Sequence, residues 1–280
     1  MDVGKTIRFF RKQLNFRQKE LVSKHMETSS ISRIEKGEQS LKVEALVEIL
    51  NTMSLTTEEF FAKCLMDDSR DKWRVLFYSC TENPKDGVAK RELLEYYEAI
   101  KTKAKARTLK ELSNYFSIKL YFSRIWAEVD SITEQELDDT FNYLLAKKYY
   151  QQYDYMIINN IILLMKDDQQ EYLISKIIPI KDEEFRNTEV KRYARSTLVN
   201  IITSKIYKKD FIQAKEYLSK AENFDKSSAD YSFTLNIEYL KNLLGYLITG
   251  EAVYMKNIHT YIYMLEFVGD RQTLEAVKKK

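Results

Sequence analysis

The spacing of apolar residues changes character near residue 65. Before that point the apolar positions fall in short helical runs separated by polar capping signals. Ile7, Phe10 and Leu14, at i, i+3 and i+7, predict a first helix over about 3–14 with all three turned inward. A second helix is expected over about 18–25, burying Leu21 and Val22. A third is expected over about 29–36, burying Ile31 and Ile34 and stopping at Gly37, a residue type that ends helices in a left-handed turn. A fourth over about 43–53 turns Leu46, Ile49, Leu50 and Met53 inward. Thr56 and Glu59 have the spacing of a capping box, which opens a fifth short helix ending near Lys63.

Past Asp67 the helical runs lengthen. Trp73, Leu76 and Phe77 predict a connecting helix over about 71–80, broken by Asn83-Pro84 and Asp86-Gly87. Further helices are expected near 88–106, 108–127, 134–148, 150–165, 168–178, 183–207, 210–222, 229–249 and 251–268, with short connections between them. That pattern predicts stacked antiparallel helix pairs. Tyr207 to Ala221 is similar to a tetratricopeptide hairpin: an aromatic residue, a turn, then Ala214 and Ala221 a heptad apart where helices approach closely. A generic helical bundle is the plainer alternative. The expected fold is all-α, with a five-helix head at 1–65, a connecting segment at 66–84 and a helical-repeat body at 85–280.

Composition supports this. The 280 residues include six Gly and two Pro, where average usage would give roughly 20 and 14. Many-turned sheet proteins and Gly-rich nucleotide-binding folds need more of both. The net charge of +3 does not announce a nucleic-acid binder, so any basic surface must be local. One is found at the N-terminus: Lys5, Arg8, Arg11, Lys12, Arg17 and Lys19 put six cations in fifteen residues with no acid among them.

The first 65 residues resemble the lambda-repressor-like helix-turn-helix domain of bacterial regulators. Gly4-Lys5-Thr6-Ile7-Arg8-Phe9-Phe10-Arg11-Lys12, Gln18-Lys19-Glu20-Leu21-Val22, Ile31-Ser32-Arg33-Ile34-Glu35-Lys36-Gly37, then Leu46, Ile49 and Leu50, then Glu58-Glu59-Phe60-Phe61 follow that family's order. A short helix enters the major groove only when braced across a second helix, and here Leu21 and Val22 are expected to brace Ile31 and Ile34. The third helix then offers Ser29, Ser30, Ser32, Arg33 and Lys36 to DNA, with Arg33 suited to a guanine edge or a phosphate. Gln18 is placed to bond a phosphate with its amide and backbone N–H, and Arg8 and Arg17 extend the basic surface. Thr28 and Ser29 can serve DNA or simply cap the third helix. The resemblance implies that Arg11 and Glu35 form a structural ion pair.

Between Val22 and Ile31 lie eight residues, one fewer than the commonest spacing of this superfamily. That short turn and a long helical remainder are similar to the Rgg (GadR/MutR) regulators of Gram-positive bacteria. The resemblance implies a homodimer that binds a near-palindromic double-stranded DNA operator and is controlled by a short peptide held in the C-terminal repeats. Asn side chains, donor and acceptor together, suit the clamping of an extended peptide, which makes Asn159, Asn160, Asn200 and Asn236 candidates. Arg192 and Arg195 suit its terminal carboxylate, and Tyr153 and Tyr193 its apolar groups. Each has a plainer alternative in a bond to a neighbouring helix or a surface ion pair. Where relatives tend to carry an arginine a few residues past the Asn pair, this chain runs Ile161-Ile162-Leu163-Leu164. Some relatives also carry a cysteine before the fourth helix; here that stretch is Glu38-Gln39-Ser40-Leu41-Lys42-Val43, so no disulfide is expected there. The basic run Lys101, Lys103, Lys105, Arg107, Lys110 is expected to be a solvated face or to lie over DNA.

No metal motif, phosphate loop or paired cysteine occurs; Cys64 and Cys80 are expected as free thiols, and His25 and His259 as packing residues. The chain is expected to be a cytoplasmic, cofactor-free, non-enzymatic regulator with no membrane segment. The alternatives are a ligand-independent regulator acting through protein partners, and a helical scaffold with a vestigial helix-turn-helix.

Overall fold

The computed structural model describes residues 2–22, 26, 28–65, 70–224 and 230–278. Its regular elements are helices throughout, which makes the chain all-α among the described residues. It divides into two compact units, Met1–Tyr96 and Tyr97–Lys280.

The first unit opens with α1 (Val3–Gln13), capped by Asp2, whose carboxylate accepts from the Lys5 N–H at 2.9 Å. Ile7 is fully buried and Phe10 packs at the edge of the core. Leu14, expected inward, is instead 43% exposed. The helix ends one residue earlier, and Asn15 takes a left-handed φ of 61° that turns the chain away. The second element is a single 3₁₀ turn, Gln18–Leu21, rather than a helix reaching residue 25. Leu21 is buried, but Val22 follows in extended backbone and is exposed, so Leu21 alone braces the next helix. His25 lies outside the described residues.

Next come α2 (Thr28–Lys36), ended by Gly37 at φ 77°, α3 (Val43–Thr52) and α4 (Thr57–Leu65). Thr56 and Glu59 make the expected reciprocal box at 3.1 Å. Ile7, Leu21, Ile31, Ile34, Ile49, Leu50, Met53, Phe60 and Cys64 form one apolar core. Gly4 has a packing role: a Cβ there would lie 1.8 Å from the Ile34 carbonyl oxygen, so glycine lets α1 and α2 touch backbone to backbone. After α5 (Arg70–Glu82) and the Asn83–Asp86 turn comes α6 (Gly87–Thr102), which runs from the first unit into the second.

The second unit continues with α7 (Leu109–Phe122), α8 (Glu134–Leu145), α9 (Gln152–Ile161), α10 (Asp167–Ile177), α11 (Thr188–Tyr207), α12 (Phe211–Phe224), α13 (Tyr231–Thr249), α14 (Ala252–Val268) and α15 (Arg271–Lys278). Thr108–Glu111 and Thr133–Glu136 capping boxes start α7 and α8. Alternate helices pack in succession, α7 on α9, α9 on α11, α11 on α13, while α11–α12, α12–α13 and α13–α14 pair as neighbours. This is the layering of a helical repeat. Ala214 and Ala221 are both buried on α12, which packs on α11 as the heptad spacing predicts. Gly245 brings α13 against the Tyr254 ring, 2.6 Å from where a Cβ would stand. His259, expected in the core, stands on the exposed side of α14. Among its tyrosine neighbours only Tyr261 is buried; Tyr263 is 66% exposed, and the spacing of Tyr254, Tyr261 and Tyr263 does not define one helix face. Cys64 and Cys80 are buried free thiols. No helix among the described residues is long and apolar enough to cross a membrane.

Candidate functional site

The head holds α2 through one carboxylate. Arg11 of α1 donates Nε to Glu35 Oε1 at 2.5 Å and Nη2 to Oε2 at 3.0 Å, and its Nη1 donates to the Phe16 carbonyl at 3.0 Å. Gln18 Nε2 donates to the same Glu35 Oε2 at 2.9 Å. Glu35 therefore ties α2 to α1 and to the 3₁₀ turn. Burial pushes its pKa up, but the hydrogen bonds from Arg11 and Gln18 and the charges of Arg11 and Arg8 outweigh it and hold the carboxyl below its ordinary value. The implied Arg11–Glu35 pair is present, and the Gln18 amide joins it.

What this lock leaves outward is the rest of α2. Ser29, Arg33 and Lys36 are exposed, and Ser30 and Ser32 partly so. Arg8 and Arg17 are also exposed, and none of these cations forms an ion pair among the described residues. The side chain of Thr28 lies outside the described residues. The bidentate guanidinium hold gives the exposed face a fixed presentation.

The peptide candidates gather on α9, α11 and α13. Asn159 Oδ1 accepts from Asn200 Nδ2 at 3.4 Å, a long and easily exchanged contact; Thr197 Oγ1 stands at the same distance, but its single proton goes to the Tyr193 carbonyl at 2.8 Å. Asn160 Nδ2 donates to Ser117 Oγ of α7 at 2.9 Å. Thr197 and Ser117 were not among the sequence candidates. The spacing Tyr193, Thr197, Asn200 on one side of α11 was the available signal for the first of them. Asn236 bonds the Ser232 carbonyl at 2.9 Å and accepts from the Tyr261 hydroxyl at 2.8 Å. Arg192 pairs with Glu189 at 2.6 Å and lies over the Tyr193 ring, and Arg195 pairs with Asp230 at 2.8 Å. Tyr153 is partly buried near the start of α9. The structure thus brings Asn159 and Asn200 together and gives both arginines acidic partners within the fold.

The basic run that begins at the end of α6 is largely tied down. Lys101 pairs with Asp130, Lys103 with Glu111, and Arg107 donates to the Ile100 and Lys101 carbonyls while covering the Tyr115 ring at 4.0 Å. No group of three or more His, Cys, Asp or Glu poised for a metal occurs among the described residues.

These features define a class of architecture, a helix-turn-helix head followed by a helical-repeat body. No family model matches the chain, and no curated protein sequence does. Solved structures share its fold. PrgX in complex with cCF10 superposes with a TM-score of 0.79 at 18% identity, covering 100% of this chain and 98% of that one. The SHP pheromone receptor Rgg2 of Streptococcus dysgalactiae gives 0.78 at 17% identity, covering 99% and 97%. A bacterial peptide pheromone–receptor complex gives 0.81 at 18% identity, covering 99% and 96%. At such identities the likeness establishes the fold.

Proposed function

We propose that this chain is a sequence-specific DNA-binding transcription regulator controlled by a short peptide. The observation that carries the first half is the Glu35 lock. It fixes α2 with Ser29, Arg33 and Lys36 outward and unneutralised, the arrangement a recognition helix needs. Arg33 reads a base edge, Arg8, Arg17 and Lys36 bind phosphates, and two heads in a homodimer engage half-sites of a near-palindrome about 34–36 Å apart. Gln18 contributes its backbone N–H, since its amide nitrogen serves Glu35.

The peptide half rests on the Asn159–Asn200 pair across α9 and α11, whose long contact a peptide backbone would replace, and on the fold shared with the SHP pheromone receptor Rgg2 and with a bacterial peptide pheromone–receptor complex. The 1–65 segment is the DNA-reading part and the repeats the sensing and dimerising part. Internal pairing of Arg192 and Arg195 favours one competing reading, a regulator that works through protein partners without a peptide.

The deciding experiment is a mobility shift of the full chain on its upstream intergenic DNA, across a salt series and with Arg33→Ala alongside. Binding that weakens steeply with salt and loses selectivity in the variant is expected. An unchanged footprint for Arg33→Ala defeats the assignment of α2. For the peptide half, Asn159→Ala/Asn200→Ala is expected to abolish any peptide-dependent change in that footprint.

A further inference from the structure

A cavity of about 520 Å³ opens in the second unit where the α8–α9 turn, the end of α10 and the 178–186 connection meet. Lys147, Lys148, Lys176, Lys181 and Arg186 line it, and no carboxylate does. Only Lys147 has a neutralising partner, the buried Asp154 at 2.5 Å. Lys148, Lys176, Lys181 and Arg186 form no ion pair among the described residues, in a unit that pairs Lys101, Lys103, Lys119, Lys205, Arg192 and Arg195 with acids. Like charges converging on one hollow repel unless an anion enters it.

The hollow is also held in shape. Arg186 Nε donates to the Lys181 carbonyl at 2.9 Å and Nη1 to the Tyr150 carbonyl at 3.0 Å. Its guanidinium lies 4.1 Å from the centre of the Tyr149 ring. Two backbone acceptors and a ring thus fix a cation whose charge meets no acid. Lys176 lies over the Tyr172 ring at 5.0 Å. Tyr149 is 44% exposed, which leaves ring surface for a planar group to stack on.

We propose that this cavity binds a phosphorylated small molecule with a planar ring, of the nucleotide class, as a second input to the protein. The volume falls in the range of small-ligand sites, about 300–1,000 Å³. Four unneutralised cations exceed what one peptide carboxylate takes up, whereas a chain of phosphates supplies several negative charges. A duplex backbone would call for cations strung along an open face, and these surround a hollow. The lining shares no residue with Asn159, Asn160, Asn200, Arg192 or Arg195, so the site stands apart from the peptide face.

Calorimetric titration of the full chain with magnesium-free ATP, AMP and inorganic pyrophosphate tests this. Saturable ATP binding is expected, tighter than AMP and than pyrophosphate. Lys176→Glu/Lys181→Glu should weaken ATP at least about tenfold. The reversal Lys220→Glu/Lys256→Glu, at exposed lysines outside the lining, should leave it unchanged. Tyr149→Ala should weaken ATP more than pyrophosphate, and Arg186 is left intact because it also anchors the fold. Circular dichroism matching wild type qualifies each variant. No saturable ATP binding, or equal losses in both charge reversals, overturns the site. Pyrophosphate binding as tightly as ATP overturns the ring half. Loss of duplex DNA affinity in Lys176→Glu/Lys181→Glu, with no ATP binding to wild type, makes the face a DNA contact and overturns the proposal.

Discussion

Each unit contains a carboxylate that gathers donors from separate elements, Glu35 in the head and Glu136 in the body, and the two units differ in what they do with other cations. In the head, Glu35 takes Arg11 twice and Gln18 once. In the body, Glu136 takes both oxygens' worth of Lys119 at 2.8 Å, the Tyr115 hydroxyl at 2.8 Å and the Thr133 N–H at 2.8 Å. Among the described residues the head leaves Arg8, Arg17, Arg33 and Lys36 without acids, while the body pairs Lys101, Lys119, Lys147, Lys205, Arg192 and Arg195 with acids from other helices or the next turn. A cation paired across elements is scaffold. A group of cations left unpaired on one surface marks where an anionic ligand belongs.

The largest expected effect comes from breaking the head's lock. Arg11→Met leaves Glu35, whose side chain is 3% exposed, with Gln18 alone. Stripping one partner from a buried pair costs about 3–5 kcal/mol. Lys119→Met should cost less, because Glu136 is 24% exposed and keeps the Tyr115 and Thr133 donors. Urea denaturation with hydrogen exchange on α1–α2 and α7–α8 reads the two losses separately. An equal or larger loss for Lys119→Met would break the comparison. Both carboxyls titrate below their ordinary value of 4.5 in the folded chain. The stability they add is therefore fully present above that pH and is lost as pH falls through the folded pKa. The gap between wild type and Glu35→Gln should close in that acidic window and stay open at neutrality.

Gly4→Ala comes next. In an ordinary helix the change gains up to about 1 kcal/mol. Here the new Cβ meets the Ile34 carbonyl, a backbone atom that moves only with α2, so a loss of about 3 kcal/mol is expected. Gly87→Ala has nothing within 4 Å and should be neutral or mildly stabilising. Thermal melts of both variants check the sign. A stable Gly4→Ala would mean that α1 and α2 do not touch as described.

The head's outline was legible because local signals agreed with its packing. Ile31 and Ile34, Gly37, and the Thr56–Glu59 box each fix an element from a few neighbouring residues. Val22 and Leu14 were misplaced because apolar spacing predicts a face only while the helix continues, and both stand where it has ended. The role of Gly4 was hidden, since a close backbone approach leaves no trace in periodicity. In the body, helix spacing and the Ala214–Ala221 heptad were legible, but cation roles were not. Asp230, which pairs with Arg195, stands 35 positions away, and only the fold brings them together. The same blindness hid Arg186, whose partners are carbonyls and a ring rather than any motif.

A smaller effect separates binding from folding. Arg33→Ala should lose about 1–3 kcal/mol of specific DNA affinity, or roughly five- to 150-fold. Its stability should stay within about 0.5 kcal/mol of wild type, because the side chain is exposed and forms no ion pair among the described residues. Competition binding against operator and scrambled duplexes measures the first, and a melt the second. A variant that loses operator and scrambled affinity equally would make Arg33 a phosphate contact.

The smallest effect tests the paired side of the comparison. Arg192 and Glu189 have side chains 55% and 36% exposed, so water screens their attraction and holding both side chains costs entropy. Arg192→Ala should therefore shift stability by no more than about 0.5 kcal/mol. If the pair is scaffold only, DNA binding and any peptide response should also persist. If Arg192 instead releases Glu189 to take a peptide carboxylate, stability will still hold while the peptide response falls at least about tenfold. A melt together with a peptide titration of the DNA complex distinguishes the two. The second outcome would show that an exposed, weakly held pair can trade its partner for a ligand, which the buried pairs of the same unit cannot do cheaply.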